Sequence, residues 1–362
     1  MSTSKRNPAN RKFAFRFQCW MQLSLVSEKV SLPEPLRIAA QELARSIRDG
    51  VENSTALDRF HEETRRLPQN NIGQFERAIQ RATYDLGPEP KRRPWQLKPA
   101  PLTTIYPWFD LFHASGFRRE RALRTLHSAP PSAFLFSILL RRLNDWVPQV
   151  RNAASEAVVR VLQIMSPVDV ADALWIVLPV EKSWRRMGSS QKQILDNAIN
   201  LPGVIDSLAT KLISANHGPA GMVLRQASRR SSLDEYLPEM ANRAVQPAIR
   251  SLAYRMLLNG KAVWADGWDW RWVDKSMGLR TKEPRLVERP ISKSVNVVAT
   301  LQAAAQDKAA AVRRVAGDYL IAHRFEIDET CLELARLLAA DKVPSVSSRG
   351  AFALKNARTT KN

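Results

Sequence analysis

The stretch WADGWDWRWVDKSMGL, residues 264–279, sets Trp264, Trp268, Trp270 and Trp272 among Asp266, Asp269, Arg271 and Asp274. Indole rings stack on bases and sugars, and a neighbouring guanidinium adds cation–π attraction. A carboxylate between such rings could act on a bound nucleotide. If the segment runs as a strand, Trp270 and Trp272 fall on one side of it. Trp270, Arg271 and Trp272 are therefore candidate ligand contacts. Tryptophan also fills irregular apolar space well. The main expectation from the sequence is that the four rings seal a gap between helices, with binding as the second reading.

Arginine supplies the other candidate contacts. The 362-residue chain carries a net charge of +20, with arginine outnumbering lysine more than two to one. Such a surplus favours phosphate backbones or acidic partners, and arginine is the better bidentate phosphate ligand. Basic pairs recur at Arg92–Arg93 near Trp95, Arg118–Arg119, Arg141–Arg142, Arg185–Arg186 beside Trp184, and Arg229–Arg230. Arg118, Arg121 and Arg124 follow at three-residue intervals on one helical face, and Arg225 and Arg229 share another. Taken singly, each is an ordinary solvated arginine. Stacked helices would align such faces into a stripe matched to phosphates. Arg92, Arg93, Arg118, Arg121, Arg124, Arg185, Arg186, Arg225 and Arg229 are the candidate nucleic-acid contacts.

Catalytic signatures are absent from the sequence. His61, His113, His127, His217 and His323 are scattered without zinc spacing, and Cys19 and Cys331 stand far apart. There is no phosphate-binding glycine loop and no nucleophile elbow. The expectation is a non-catalytic protein without metal or small-molecule cofactor. Two lone cysteines fit a reducing, cytoplasmic setting. No apolar run approaches the ~20 residues that span a bilayer. Residues 1–27 hold no acid, and RKFAFRFQCWMQLSL alternates as a strand would. A targeting segment can look like this, but a basic arm over residues 1–30 is the simpler expectation.

The elements that must position these groups are helices. Residues 31–87 read as an N-terminal helical region, and 88–107 as a Pro-rich basic linker or strap that no regular helix survives. Beyond it one pattern repeats: VRNAASEAVV from Val150, IRSLAYRMLL from Ile249, VRRVAGDYLI from Val312 and VSSRGAFALK from Val346. A β-branched residue is followed four positions later by a small one, then by apolar residues one turn on. Weaker copies start at Ile194 and Val223. Ahead of the best copies lies another apolar helix and a turn holding Asp145, Asp307 or Asp341. Helical pairs that cannot bury their apolar faces alone stack on their neighbours.

This pattern resembles the HEAT-repeat family, through Asp145, Val147, Pro148, Val150, Arg151 and Ala154; Asp307, Val312, Arg313 and Ala316; and Asp341, Val343, Pro344, Val346 and Gly350. The resemblance implies an all-α fold, a right-handed α-solenoid of helical hairpins over 108–357. A Trp-rich insertion at about 261–291 would interrupt it and a short tail, 358–362, would follow. It also implies that Asp145, Arg151, Asp307, Arg313 and Asp341 pair between neighbouring units. HEAT-like alkylpurine DNA glycosylases pair an aromatic cleft with one aspartate. Asp145 beside Trp146, Trp184 beside Arg185, and Asp269 between Trp268 and Trp270 could be asked to play those parts. No longer stretch matches that family, so no catalytic residue is carried over. The resulting expectation is a solenoid that holds DNA or RNA through its backbone, as a subunit of a larger assembly. A scaffold for an acidic protein is the alternative.

Overall fold

In the computed structural model, residues 31–84, 106–323 and 328–357 are described. The basic arm, most of the Pro-rich strap and the tail lie outside them, as do Arg92 and Arg93. The described chain is mostly helical, with one two-stranded sheet. It forms two compact units: residues 31–60 and 73–84 belong to the first, and 61–72 with everything from 106 onward to the second. Among the described residues no helix is long and apolar enough to cross a membrane.

The first unit holds α1 (Glu34–Asp49), the start of α2 (Ser54–Arg65) and most of α3 (Ile72–Tyr84). Leu36, Ala39, Ala40 and Leu43 recur at helical spacing and are buried on α1. Gly50 ends that helix in the left-handed conformation at φ 71°, a stop that glycine adopts without steric cost.

The second unit is a series of helical pairs: α4 (Pro107–Asp110) with α5 (Gly116–Thr125), α6 (Ala133–Arg142) with α7 (Pro148–Leu162), and α8 (Pro167–Glu181) with α9 (Ser189–Ile199). Then come α10 (Val204–Ser214) with α11 (Ala220–Ala227), a 3₁₀ turn (Ser231–Tyr236), and α12 (Leu237–Arg243) with α13 (Pro247–Asn259). Strands β1 (Lys261–Asp274) and β2 (Leu279–Pro290) follow, and then α14 (Val297–Ala305) with α15 (Ala310–Ala322) and α16 (Glu329–Ala339) with α17 (Pro344–Asn356). Helices pack mostly on the next but one. One layer runs α6–α8–α10–α12 and resumes with α14–α16; the other runs α5–α7–α9 and α11–α13–α15–α17.

The repeated residues explain this packing. Val150, Ile249, Val312 and Val346 are fully buried, as are Ala154, Ala253 and Ala316 four residues on. At Gly350 the small residue is obligatory, because an added Cβ would stand 2.3 Å from the Ala339 nitrogen and 2.7 Å from the Ala335 oxygen. Proline at the first turn starts α7, α13 and α17, where its missing N–H costs nothing.

An arginine–aspartate clasp joins three of the successive pairs to the next. Arg119 Nε and Nη2 donate to the two Asp145 oxygens at 3.0 and 2.8 Å. Arg250 does the same to Asp307 at 2.7 and 2.9 Å, and Arg313 to Asp341 at 2.5 and 3.1 Å. The third nitrogen of each arginine reaches carbonyls six and five residues upstream: His113 and Ala114, Ala244 and Val245, Asp307 and Lys308. Each aspartate also accepts the amide N–H two residues on, at Val147, Ala309 and Val343. Arg151 binds the Asp145 and Trp146 carbonyls but clasps no aspartate among the described residues, so the expected pairing of that residue is absent there.

Asp145 is the most buried of these carboxylates, and Arg142 is a second partner at 2.9 Å. Burial pushes the Asp145 carboxyl up, and the hydrogen bonds from Arg119 and Val147 with both arginine charges pull it further down, leaving it below the ordinary carboxylate range. Two predictions follow from this packing. Asp145→Asn leaves two buried guanidiniums uncompensated and should cost ~3–5 kcal/mol in urea unfolding; a loss below ~1 kcal/mol would mean that the clasp is not a stabilising contact. Gly350→Ala should force α16 from α17 and lower stability by ~1–3 kcal/mol in the same assay.

Candidate nucleic-acid interface

The Trp-rich segment is a β-hairpin. β1 and β2 pair antiparallel from Lys261↔Pro290 out to Asp274↔Leu279. Asp274 caps the far turn by accepting from the Ser276 and Met277 amides and the Ser276 hydroxyl. Gly278 takes φ 65° there. Nearer the base, β1 carries an irregularity between Ala265 and Trp268, opposite Leu286 and Pro284, with Gly267 at φ 92°. One extra residue in one strand reverses which face the following side chains use. Trp264 therefore lies on one face, and Trp268, Trp270 and Trp272 on the other.

The two faces differ. On the inner face Ala262 is buried, and Trp264, Val287 and Arg289 are half-buried. The Arg229 guanidinium stands 5.7 Å from the Trp264 ring centre, and its Nη2 donates to the Ala265 carbonyl at 3.4 Å. Arg289 clasps buried Asp234 through two nitrogens at 2.8 and 2.6 Å and reaches the Ser228 and Arg230 carbonyls. On the outer face Trp268, Trp270 and Trp272 are 67%, 56% and 48% exposed. Across from them stand Pro284, Lys282 and Arg280. The Arg280 guanidinium lies over both Trp270 and Trp272, at 4.8 and 5.5 Å, and the Lys282 ammonium over Trp270 at 5.0 Å. The pairs Trp268/Pro284, Trp270/Lys282 and Trp272/Arg280 include no carboxylate.

The expectation that the tryptophans seal a gap between helices is thus corrected: only Trp264 packs inward, and the other three project outward. Trp270 and Trp272 share a face, as strand periodicity requires. Arg271 falls on the opposite face, where its Nη1 donates to Glu283 at 3.1 Å.

Several of the helical arginines have partners within the fold. Arg118 donates to buried Asp110 at 3.0 Å, and Arg119 is buried in its clasp. Arg124 pairs with Glu120 at 2.9 Å. Arg229 holds the hairpin base. Arg118, Arg119 and Arg229 are engaged within the fold, a correction to their reading as backbone contacts, whereas Arg124 keeps an exposed side chain. Arg121, Arg185, Arg186 and Arg225 are exposed. Among the described residues Arg185, Arg186 and Arg225 make no ion pair. Arg185 and Arg186 occupy the turn between α8 and α9, where the Arg186 amide donates to Asn144 at 2.7 Å. Arg225 lines an open groove between α11 and α13 with Met222, Ser251, Leu252 and Arg255.

No family model, no curated protein and no solved structure matches this chain. What the site can do follows from its own geometry. Sequence reasoning missed Arg280 and Lys282. The signal was their two-residue spacing in LRTKEPRLVERP, which matches the alternation of Trp268, Trp270 and Trp272 only if the two segments pair. The aspartates weighed for a glycosylase part company: Asp145 is buried between two arginines, and Asp269 lies across the strand from the exposed rings.

The outer face generates a stability prediction. Replacing Trp268, Trp270 and Trp272 with serine should shift stability by no more than ~0.2–1 kcal/mol per position, the range of cross-strand pairs. Trp264→Ala should cost more, because it opens the hairpin base; thermal unfolding of the two variants compares them directly. A second prediction concerns Asp110. Burial pushes its carboxyl up to about 6, against the pull of Arg118 and Arg121. A raised carboxyl favours the protonated fold, so this contribution is complete below the ordinary value of 3.8 and lost as pH rises through about 6. The stability of Asp110→Asn minus that of the parent should therefore climb by ~2–3 kcal/mol across this window. A flat difference would refute the burial argument.

Proposed function

We propose that this protein is a non-catalytic binding protein for nucleic acid, DNA or RNA, built on a right-handed HEAT-like α-solenoid and acting in the cytoplasm within a larger assembly. The observation that carries the reading is the outer hairpin face, where three exposed indoles alternate with Arg280 and Lys282 and no carboxylate interrupts them. Rings of this kind offer stacking surfaces, and adjacent cations offer phosphate contacts. A net charge of +20 adds long-range attraction to any polyanion. The solenoid assignment is supported by the alternating helical layers and by three clasps of one design, Arg119–Asp145, Arg250–Asp307 and Arg313–Asp341.

A second reading, a scaffold for an acidic protein, is favoured by another surface. Phe117 and Trp146 are 86% and 67% exposed at the starts of α5 and α7. Arg186 is tied to this edge through Asn144. Aromatic and arginine side chains are the groups that anchor protein interfaces.

Fluorescence anisotropy with labelled oligonucleotides across a salt series tests the first reading. Micromolar or tighter binding that weakens steeply with salt is expected, with a slope that counts the phosphates engaged. Absence of binding at ~100 mM salt would overturn it and leave the acidic-protein scaffold.

A further inference from the structure

We propose that Arg280 stands in for a nucleobase between Trp270 and Trp272, which makes the outer hairpin face a site for unpaired bases of a single-stranded polynucleotide; this rests on the nucleic-acid reading above. Residues two apart on a strand are roughly 6.6–6.8 Å apart. That is about twice the ~3.4 Å thickness of a stacked base, so one flat layer fits between neighbouring indoles. The guanidinium of Arg280 is planar, and it lies over both rings. A nucleobase has the same thickness and a larger π surface. On binding, the base takes the layer and the guanidinium, still charged, turns to the phosphate of the same nucleotide.

Charge selects this occupant over a neutral apolar one. Arg280 and Lys282 flank the rings, and the ladder pairs that hold Trp268, Trp270 and Trp272 bring no carboxylate opposite them; Glu288, at the hairpin base, is paired with Lys261 at 2.8 Å. Geometry selects a single strand over a duplex. In a duplex each base face is covered by its neighbours, and only edges and phosphates remain. Indoles projecting from a hairpin can reach the flat face of a base only where it is unstacked. The hairpin stands ready for this, because Arg289 and Arg229 fix its base while Trp268, Trp270 and Trp272 on the outer face stay exposed.

The test uses the full chain with fluorescein-labelled oligo-dT and oligo-rU, a duplex of the same length, and an abasic single strand with the same number of phosphates. Expected is tighter binding of both base-bearing single strands than of the duplex or the abasic strand, with quenching of tryptophan fluorescence. Trp270→Ala and Trp272→Ala should each weaken single-strand binding roughly 10-fold and leave duplex binding unchanged. Arg280→Ala should lower the salt slope by about 1. It should leave affinity at high salt equal to or above the parent's, because no guanidinium has to be displaced. All three positions are exposed, and matching unfolding curves verify that the variants are folded.

If duplex and abasic strands bind as well as the others, and the tryptophan variants bind normally, the stacking site is wrong while the nucleic-acid reading survives. If Arg280→Ala keeps the parent's salt slope, the exchange is wrong. If no oligonucleotide binds, and the face instead takes an acidic peptide or an anionic vesicle, both proposals fall.

Discussion

The bidentate pairing of an arginine near the start of one helix with an aspartate in the turn of the next helical pair sets three junctions of the second unit, one near its start and two near its end. A buried guanidinium is tolerable only when its donors are met. Here one arginine meets a carboxylate from the next pair of helices and two carbonyls from the turn before its own helix. The aspartate in turn holds a backbone amide. Each clasp thereby ties three stretches of chain, and the next pair must sit where its aspartate can be reached. This explains why the spacing of Arg119 to Asp145 and of Arg313 to Asp341 is so similar, 26 and 28 residues, and why Arg250 to Asp307 needs 57: the excess is about the length of the hairpin. It also separates two populations of arginine. Those that build the stack are consumed by it, and the cations open to a ligand are those the clasp does not use.

The hairpin depends on the same logic of satisfied guanidiniums. Asp234 is buried and reaches Arg289 and Ser292, so the second strand is tied to the 3₁₀ turn between α11 and α12. Burial pushes the Asp234 carboxyl up, and the bonds from Arg289 and Ser292 outweigh it, leaving it below the usual range. Arg229 adds contact with Trp264. Beyond this fixed base most of the hairpin is exposed. The bulge at Gly267 then divides the tryptophans, one for anchoring and three for the outer face.

Much of this was legible in the sequence. The β-branched and small residues four apart, such as Val150 and Ala154, mark buried helix faces because close packing leaves little choice there. Asp145, Asp307, Arg313 and Asp341 were legible as partners between pairs. Arg119 was not, since a run such as FRRERALR looks equally basic whether a given arginine points in or out. The hairpin was the larger failure. Strand pairing joins residues that are distant in sequence, and LRTKEPRLVERP carries little apolar signal of its own. A four-tryptophan segment suggests burial on composition alone; only the register with Arg280 and Lys282, and the reversal at Gly267, turn three rings outward.

The two ends of the hairpin meet. The Ile291 amide donates to the Gly260 carbonyl at 2.9 Å, just beyond the first ladder pair. The chain therefore leaves the helical stack and rejoins it at one spot, and the clasp between Arg250 and Asp307 closes across the gap whatever lies between. Hairpin and stack are thus separable inheritances: a lineage could lengthen, reshape or discard this cassette, or transplant it to another host, without renegotiating the helices that carry it.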